Sequence, residues 1–411
     1  MESTPVISPR IFLILAAVFC IGAPGAFAQK GRNKLPKTDP SQCPYCHGDK
    51  DIMRAAGIVS HGGFTVGRKT TAEVDKELGT AEIYWIETEH FEIGMALGRM
   101  KVKQEDKKKI RDEYALLGEH LEDVPEKPKV LDQWGLAHLY AQRLEAMYTN
   151  MLTLMELEDS VFPPPGTVWN MQGEYWGQGP YFGQKGKLEV LLLPSESLHV
   201  AWLSKNFGLR TKNSQRWHII DSGSLHLCVH VEQGSLKVDA ALHGHLAFNI
   251  SIMLVNSFKH YSYDMPVWLL EGIGHYMERR LNPKYNTFDS GEGGVAQTTK
   301  KKNWEPVVKK LVSGDKATNL AELTRMTNFA ELDLNRHFVS WSLVDYLQRA
   351  HPGFLRTLIF RTANLRNEQN LPDGTNLMDE HRSVFKDELK MSYLAFDRAW
   401  REWVLENYTS K

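Results

Sequence analysis

The residues best suited to chemistry lie in the apolar stretch PVWLLEGIGHY at 266–276. Glu271 and His275 are four residues apart, so a helix would present both side chains on one face. A carboxylate beside an imidazole suits metal binding or general acid–base catalysis. The structural alternative is that Glu271 is a buried carboxylate paired with a base or a backbone donor, and that His275 is an ordinary helix-surface histidine.

A second predicted helix carries the segment LHGHLAFN at 242–249. His245 and Asn249 have the i,i+4 spacing by which a His-Glu-x-x-His helix places two histidines on one metal ion. Leu246 stands where such a helix carries its general base, and Asn249 stands where it carries the second histidine. Registers through His243 supply neither the glutamate nor both histidines, so we expect no zinc-dependent hydrolysis.

These segments together resemble the gluzincin metallopeptidases, which are peptidase-MA-like zincins. In that family a Trp-Leu-x-Glu-Gly-x-x-x-Tyr segment supplies the third zinc ligand, and WLLEGIGHY at 268–276 matches it. Further similar segments follow in the family's order: TEHFEI at 88–93, FVSWSLVDY at 338–346 and FDRAWREW at 396–403. The resemblance covers residues 83–408 and implies an α+β, zincin-like fold with a small mixed sheet and a mostly helical C-terminal half.

The resemblance also implies a former active-site cleft, in which Asn249 is a vestige of the metal site. The leading functional interpretation is a non-hydrolytic bacterial protein that binds a peptide or a cell-envelope polymer in this cleft. A second interpretation is a divergent zinc metallohydrolase, in which His245, Glu271 and His275 form a ligand set of different geometry. A third is a c-type haem redox protein, which depends on a separate motif near the N-terminus.

That motif is CPYCH at 43–47, which has the spacing of a c-type haem attachment site. Cys43 and Cys46 would form the thioethers, and His47 would be an axial iron ligand, with Met53 or His61 as the sixth. Two alternatives stay open: a metal knuckle of both cysteines with His47 or His61, and a disulfide. The interval before the next predicted strand is short for a cytochrome, so we expect a small appendage on the main domain.

The N-terminal residues 1–28 have the basic start, apolar centre and Ala-x-Ala end of a secretory signal peptide. Their apolar run is too short to cross a membrane, so we expect a periplasmic or secreted protein without a membrane span. A flexible lead-in (29–42), a small Cys-x-x-Cys-His unit (43–80) and the gluzincin-like domain (83–411) would follow. The net charge of −1, with mixed signs, argues against a nucleic-acid partner.

Hydrophobic periodicity places the elements that would hold these residues. Helices are predicted over 104–121, 132–157, 197–206, 238–258, 265–281, 336–349, 353–362 and 396–408. Strands are predicted over 83–97, 188–193, 217–220 and 225–231, and a long loop over 163–186. The remaining histidines that we considered are expected to be structural or surface residues: His90, His120, His138 and His199.

Overall fold

The fold is taken from a computed structural model that describes residues 35–168, 173–289, 294–298, 302–363, 365–369 and 373–410. Within 294–298 it describes the backbone alone. Lys37–Lys411 form one compact unit. The predicted signal peptide at 1–28 and the first part of the lead-in, 29–34, lie outside the described residues. Among the described residues, no helix combines the length and apolar character that crossing a membrane requires.

The described helices fill most of the C-terminal half. They are α1 (Lys50–Ala55), α2 (Thr71–Glu77), α3 (Lys107–Leu117), α4 (Gln133–Leu154), α5 (Glu196–Phe207), α6 (Asp239–Ser257), α7 (Val267–Leu281), α8 (Glu305–Ser313), α9 (Leu320–Leu323), α10 (Leu334–Ala350), α11 (Phe354–Thr362), α12 (Leu377–Glu388) and α13 (Tyr393–Asn407). With the strands below, they confirm the α+β class.

The strands are β1 (Thr65–Val66), β2 (Lys69–Thr70), β3 (Tyr84–Glu87), β4 (Phe91–Met95), β5 (Met100–Lys101), β6 (Val130–Leu131), β7 (Leu188–Leu193), β8 (Gln215–Ile219), β9 (Ser224–His230), β10 (Tyr285–Asp289) and β11 (Gly294–Thr298). Five of them form one mixed sheet in the order β3-β4-β7-β9-β8. The central pairs β4–β7 and β7–β9 are parallel, and both outer pairs are antiparallel. The edge strand β8 therefore has β9 on one side and no strand on the other among the described residues.

The central strand β7 is buried at all six positions because helices cover both faces of the sheet. Val190 and Leu192 point into the larger core, which α4 and α6 also fill. Leu191 and Leu193 point to the other face and pack with Trp202 of α5. This alternation follows from the two-residue period of a strand, and a strand buried on both faces reads as the continuous apolar run seen here.

Helices α6, α7 and α10 form the layer that carries the candidate residues. α6 packs against α7, and α7 packs against α10. Gly272 permits the second approach, since a Cβ at this position would lie 2.5 Å from the Ser340 carbonyl oxygen. The short hairpin β10–β11 lies against α6, so the side chains of β10 reach the same region.

Most predicted elements are confirmed: all eight predicted helices are present, as α3, α4, α5, α6, α7, α10, α11 and α13, and the strands at 188–193, 217–220 and 225–231 are present as β7, β8 and β9. The single strand predicted over 83–97 is wrong. The chain instead turns at Glu89 and His90, so that β3 and β4 form an antiparallel hairpin. The predicted loop at 163–186 contains no helix or strand within its described residues, 163–168 and 173–186.

Candidate functional site

The polar residues of α6 lie in a helix that is buried almost all round. His245 uses both ring nitrogens: Nε2 is 2.7 Å from the Ser214 hydroxyl, and Nδ1 is 3.0 Å from the Thr287 hydroxyl. Burial, together with the nearby charges of Arg216 and His230, lowers the pKa of His245 to about 3. His245 is therefore a neutral imidazole held between two hydroxyl groups.

The side chain of Asn249, one turn further along α6, is bound by a guanidinium group. Arg216 of β8 donates from Nη1 to Asn249 Oδ1 at 2.7 Å. Its Nη2 donates to the carboxylate of Asp289, which is fully buried. The Asn249 amide nitrogen in turn donates to the His245 carbonyl oxygen at 2.8 Å. A cation thus already occupies the space beside the two residues that match the metal motif.

On α7 the structure brings Glu271 and His275 together with a residue that the sequence patterns did not single out, His337 of α10. His337 Nδ1 is 3.0 Å from Glu271 Oε2, and His275 Nε2 is 3.2 Å from the same oxygen. His275 Nδ1 is 2.8 Å from Glu278 Oε1. These four residues, which we call the Glu–His cluster, are all at most 4% exposed.

Backbone donors complete the Glu–His cluster. The Asp289 N–H donates to Glu271 Oε1 at 3.2 Å, and the Thr287 N–H donates to Glu278 Oε2 at 2.9 Å. Both donors belong to β10, which also supplies the partners of His245 and Arg216. Strand β10 therefore links the Glu–His cluster to the motif residues of α6.

The charges of the Glu–His cluster compensate one another. Burial alone would raise the pKa of Glu271, but the charge of His337 and hydrogen bonds from both histidines bring it to about 2. Burial opposes protonation of His275, yet its bonds to Glu271 and Glu278 raise its pKa. The pKa of Glu278 is raised by burial, with the His275 bond acting against this. The favoured state is an imidazolium between two carboxyl groups.

The sequence-predicted metal set of His245, Glu271 and His275 is thus only partly brought together. Glu271, His275 and His337 have ligand atoms within 4.8 Å of one another, whereas His245 is outside this group. The group could hold a metal ion by distance alone. Glu271 and His275, however, already bond to one another, to His337, to Glu278 and to the Asp289 N–H. The rings of Phe288 and Trp304 lie 5.4 and 4.9 Å from the His275 ring.

An open cleft of about 610 Å³ reaches Arg216, whereas His245, Asn249 and the Glu–His cluster are not among its described lining residues. It is lined by Arg216, by the α6–α7 connection at 261–266, by the segment 324–329, and by the start of α12. At its rim, His218 of β8 stacks on Tyr261, with ring centroids 4.4 Å apart and 13° between the planes. His218 Nδ1 is also 2.8 Å from the Tyr263 hydroxyl.

The Cys-x-x-Cys-His residues do not line this cleft, and the structure separates His47 from the two thiols. Cys43 and Cys46 are buried free thiols. Their sulfurs lie against imidazoles of His138 and His61. His47 is exposed, and its Nε2 lies 3.4 Å from Glu122 Oε2.

Sequence reasoning did not single out His337, and it assigned His138 a structural or surface role without the contact to Cys43. His337 begins the helix predicted over 336–349, and His138 lies within the helix predicted over 132–157. A histidine on the buried face of an apolar helix is the one signal that could have marked them.

No protein-family model matches the chain, and no curated protein matches its sequence. The function must therefore be argued from the geometry described above.

Proposed function

We propose that this chain is an exported, gluzincin-like protein that binds an extended peptide in the cleft and does not hydrolyse it. The observation that carries the proposal is the guanidinium of Arg216 bound to Asn249 at 2.7 Å. A zinc ion held by the motif positions of α6 would lie close to this positive charge, and like charges at such distances repel strongly away from bulk water.

The position of the general base supports the same conclusion. Leu246 is fully buried in the main core, so the residue that matches the catalytic glutamate is a packing residue. Glu271 cannot take over, because its oxygens accept hydrogen bonds from Asp289, His275 and His337. Loss of a general base typically costs about 10²–10⁴-fold in rate.

Peptide binding is supported by the position of β8 at the end of the sheet. Arg216 and His218 are two residues apart on this strand, so they share one face, and Arg216 lines the cleft. An extended peptide can add to an edge strand through backbone hydrogen bonds while its side chains enter neighbouring pockets. The cleft volume of about 610 Å³ is within the usual range of ligand sites.

The aromatic rim supplies contact area for such a ligand. Tyr263 is 63% exposed although it lies beside the His218–Tyr261 stack. Rigid aromatic side chains of this kind provide binding energy at a low entropic cost. Asp264 and Asp373 also line the cleft, so basic side chains of the peptide have carboxylate partners.

The proposal is tested by incubating the full chain with a library of short randomised peptides, and analysing retained and cleaved species by mass spectrometry. We expect retained peptides and no chelator-sensitive cleavage. Retention should fall in Tyr263→Ala and His218→Ala. It should stay unchanged in Leu394→Ala, which alters an equally exposed side chain on α13 outside the cleft.

Two results would contradict the proposal. Chelator-sensitive cleavage that Glu271→Gln abolishes would indicate a divergent metallohydrolase. Sedimentation of the chain with purified cell-wall sacculi, without retention of any peptide, would assign the cleft to an envelope polymer instead.

A further inference from the structure

Two thiols and two imidazoles meet where the N-terminal segment packs on α4. Cys43 Sγ lies 3.2 Å from His138 Nε2, and Cys46 Sγ lies 3.2 Å from His61 Nε2. The donor atoms of Cys43, Cys46 and His138 are all within 4.8 Å of one another. His61, which contacts Cys46, is outside this group and would have to approach Cys43 or His138 to complete a four-ligand site. The imidazole rings of His61 and His138 are nearly perpendicular, with centroids 5.9 Å apart.

We propose that Cys43, Cys46, His61 and His138 form a structural zinc site, the N-terminal zinc site. Four donors of the Cys₂His₂ type are the usual set for structural zinc. With Zn–S near 2.3 Å and Zn–N near 2.0–2.1 Å, tetrahedral geometry places sulfur and nitrogen donors about 3.6 Å apart. Both observed sulfur–nitrogen distances, 3.2 Å, are close to this spacing.

The surroundings have the features that structural zinc requires. Cys43, Cys46 and His138 are at most 2% exposed, and His61 is half-buried, so three of the four donors are shielded from solvent. His61 Nδ1 is 2.8 Å from the Trp85 carbonyl oxygen. That bond makes Nδ1 the donor and leaves the Nε2 lone pair facing the thiols, as in zinc sites whose histidines are oriented by an outer hydrogen bond.

The backbone of the Cys-x-x-Cys turn also favours metal binding. The Cys46 N–H donates to Cys43 Sγ at 3.5 Å, which stabilises a thiolate. His47 follows in a left-handed conformation, with φ of 53°, and its side chain leaves the site toward Glu122. This arrangement disfavours a c-type haem, in which the residue after the second cysteine ligates the iron.

The N-terminal zinc site would join three parts of the chain that are distant in sequence. His138 belongs to α4, and His61 is tied to β3 through Trp85. The cysteines precede α1. Hydrogen bonds also join the N-terminal segment to the main body, such as those from the Val59 N–H to the Glu87 carbonyl oxygen at 2.8 Å and from the Tyr45 hydroxyl to Asp132 at 2.5 Å. Zinc would therefore fasten residues 43–64 to the main body, independently of the peptide cleft.

The test uses the full chain, purified under reducing conditions with zinc and then dialysed. We expect one zinc ion per chain, and a zinc K-edge X-ray absorption spectrum with two sulfur and two nitrogen neighbours. Cobalt substitution should give thiolate-to-cobalt charge-transfer absorption. His138→Asn and His61→Asn should each lower zinc retention at least about tenfold, since even outer-shell changes cost 10–100-fold in affinity.

Two variants serve as matched controls. Cys228→Ser alters a buried thiol that also contacts an imidazole, that of His199 at 3.3 Å, but has no second cysteine nearby. His47→Asn alters the motif histidine that the site does not use. Both should retain zinc.

The wild-type spectra keep the proposal falsifiable even if a ligand variant fails to fold. A reduced wild-type chain that retains no zinc would show that the pairs are thiol–imidazole hydrogen bonds only. An absorption spectrum without sulfur neighbours, covalently attached haem, or a Cys43–Cys46 disulfide that persists in the zinc-loaded chain would equally overturn the site.

Discussion

Replacing His275 by glutamine removes the imidazole that lies between two buried carboxylates. His275 is fully buried, and its two nitrogens lie 3.2 Å from Glu271 and 2.8 Å from Glu278. Breaking a buried ion pair by removing one partner typically costs about 3–5 kcal/mol, because a charge is left without compensation. A domain's total stability is about 5–15 kcal/mol, so the variant should lose a large share of it near neutral pH.

The pH dependence of this loss follows from the direction of each pKa shift. The pKa of Glu271 is lowered to about 2. The ionised carboxylate therefore stabilises the fold at pH values above its ordinary pKa of 4.5, and this stabilisation is lost as the pH falls toward 2. The pKa of His275 is raised. The protonated imidazole therefore stabilises the fold fully at pH values below 6.5, and this stabilisation is lost as the pH rises through the raised pKa. The raised pKa of Glu278 favours the fold at acidic pH, since the protonated form is cheaper to bury.

We therefore expect the deficit of His275→Gln to narrow as pH falls through the raised pKa of Glu278. Urea unfolding followed by tryptophan fluorescence measures the deficit at each pH. The double variant His275→Gln/Glu278→Gln should recover part of it, because it removes the carboxylate left unpaired. The control is His120→Gln, which replaces an exposed histidine and should leave the free energy of unfolding unchanged. A deficit below about 1 kcal/mol, or one that is independent of pH and not relieved by the second substitution, would refute this account.

Two further predictions concern packing and protonation. Gly272→Ala should lower the free energy of unfolding by about 1–3 kcal/mol through overpacking. The added Cβ would lie 2.5 Å from the Ser340 carbonyl oxygen and 2.7 Å from Val344. Gly98→Ala is the control: its Cβ meets no atom within 4 Å, so it should leave stability unchanged in the same urea experiment. His90 should be protonated at neutral pH: burial opposes this, but hydrogen bonds to Asp159 and Glu145 raise its pKa to about 9. That contribution to stability is complete below 6.5 and is lost as pH rises through about 9; an NMR titration midpoint near 6.5 would contradict it.

The local patterns of the sequence were sufficient for most of the long elements, but they did not predict α1, α2, α8, α9 or α12, nor the hairpin strand β10. α6 and α7 follow from apolar runs with helical periodicity, and β7 from a continuous apolar run with two-sided burial. The β3–β4 hairpin was missed because Glu89 and His90 form its turn. The glycine and asparagine residues that usually mark a two-residue hairpin are absent there.

Sequence patterns could not predict which side chains pair when the partners are distant in sequence. Glu271 and His337 are 66 residues apart, and Cys43 and His138 are 95 residues apart. Periodicity shows which face of a helix is buried, but not which other helix covers that face. The pairs depend on the close approach of α7 to α10 and on the fold of the N-terminal segment over α4. The sequence therefore placed Glu271, His275 and both cysteines in candidate sites. It assigned His245 as the partner of Glu271 and His275, and either His47 or His61 as the partner of the cysteines, but not His337 or His138.

The proposed loss of catalysis rests on more than the missing glutamate. Arg216 reaches α6 from the sheet edge and is balanced by Asp289, whose own backbone N–H donates to Glu271. The guanidinium, the Asp289 carboxylate and the Glu–His cluster are therefore one connected set of buried charges. Substituting glutamate at position 246 and histidine at position 249 would leave these buried charges in place. A zinc ion would still meet the guanidinium, and removing Arg216 would leave Asp289 without a counter-charge. A zinc peptidase site at these positions would thus require rebuilding the charge balance around β10, which supports the proposal that the chain binds its ligand without hydrolysing it.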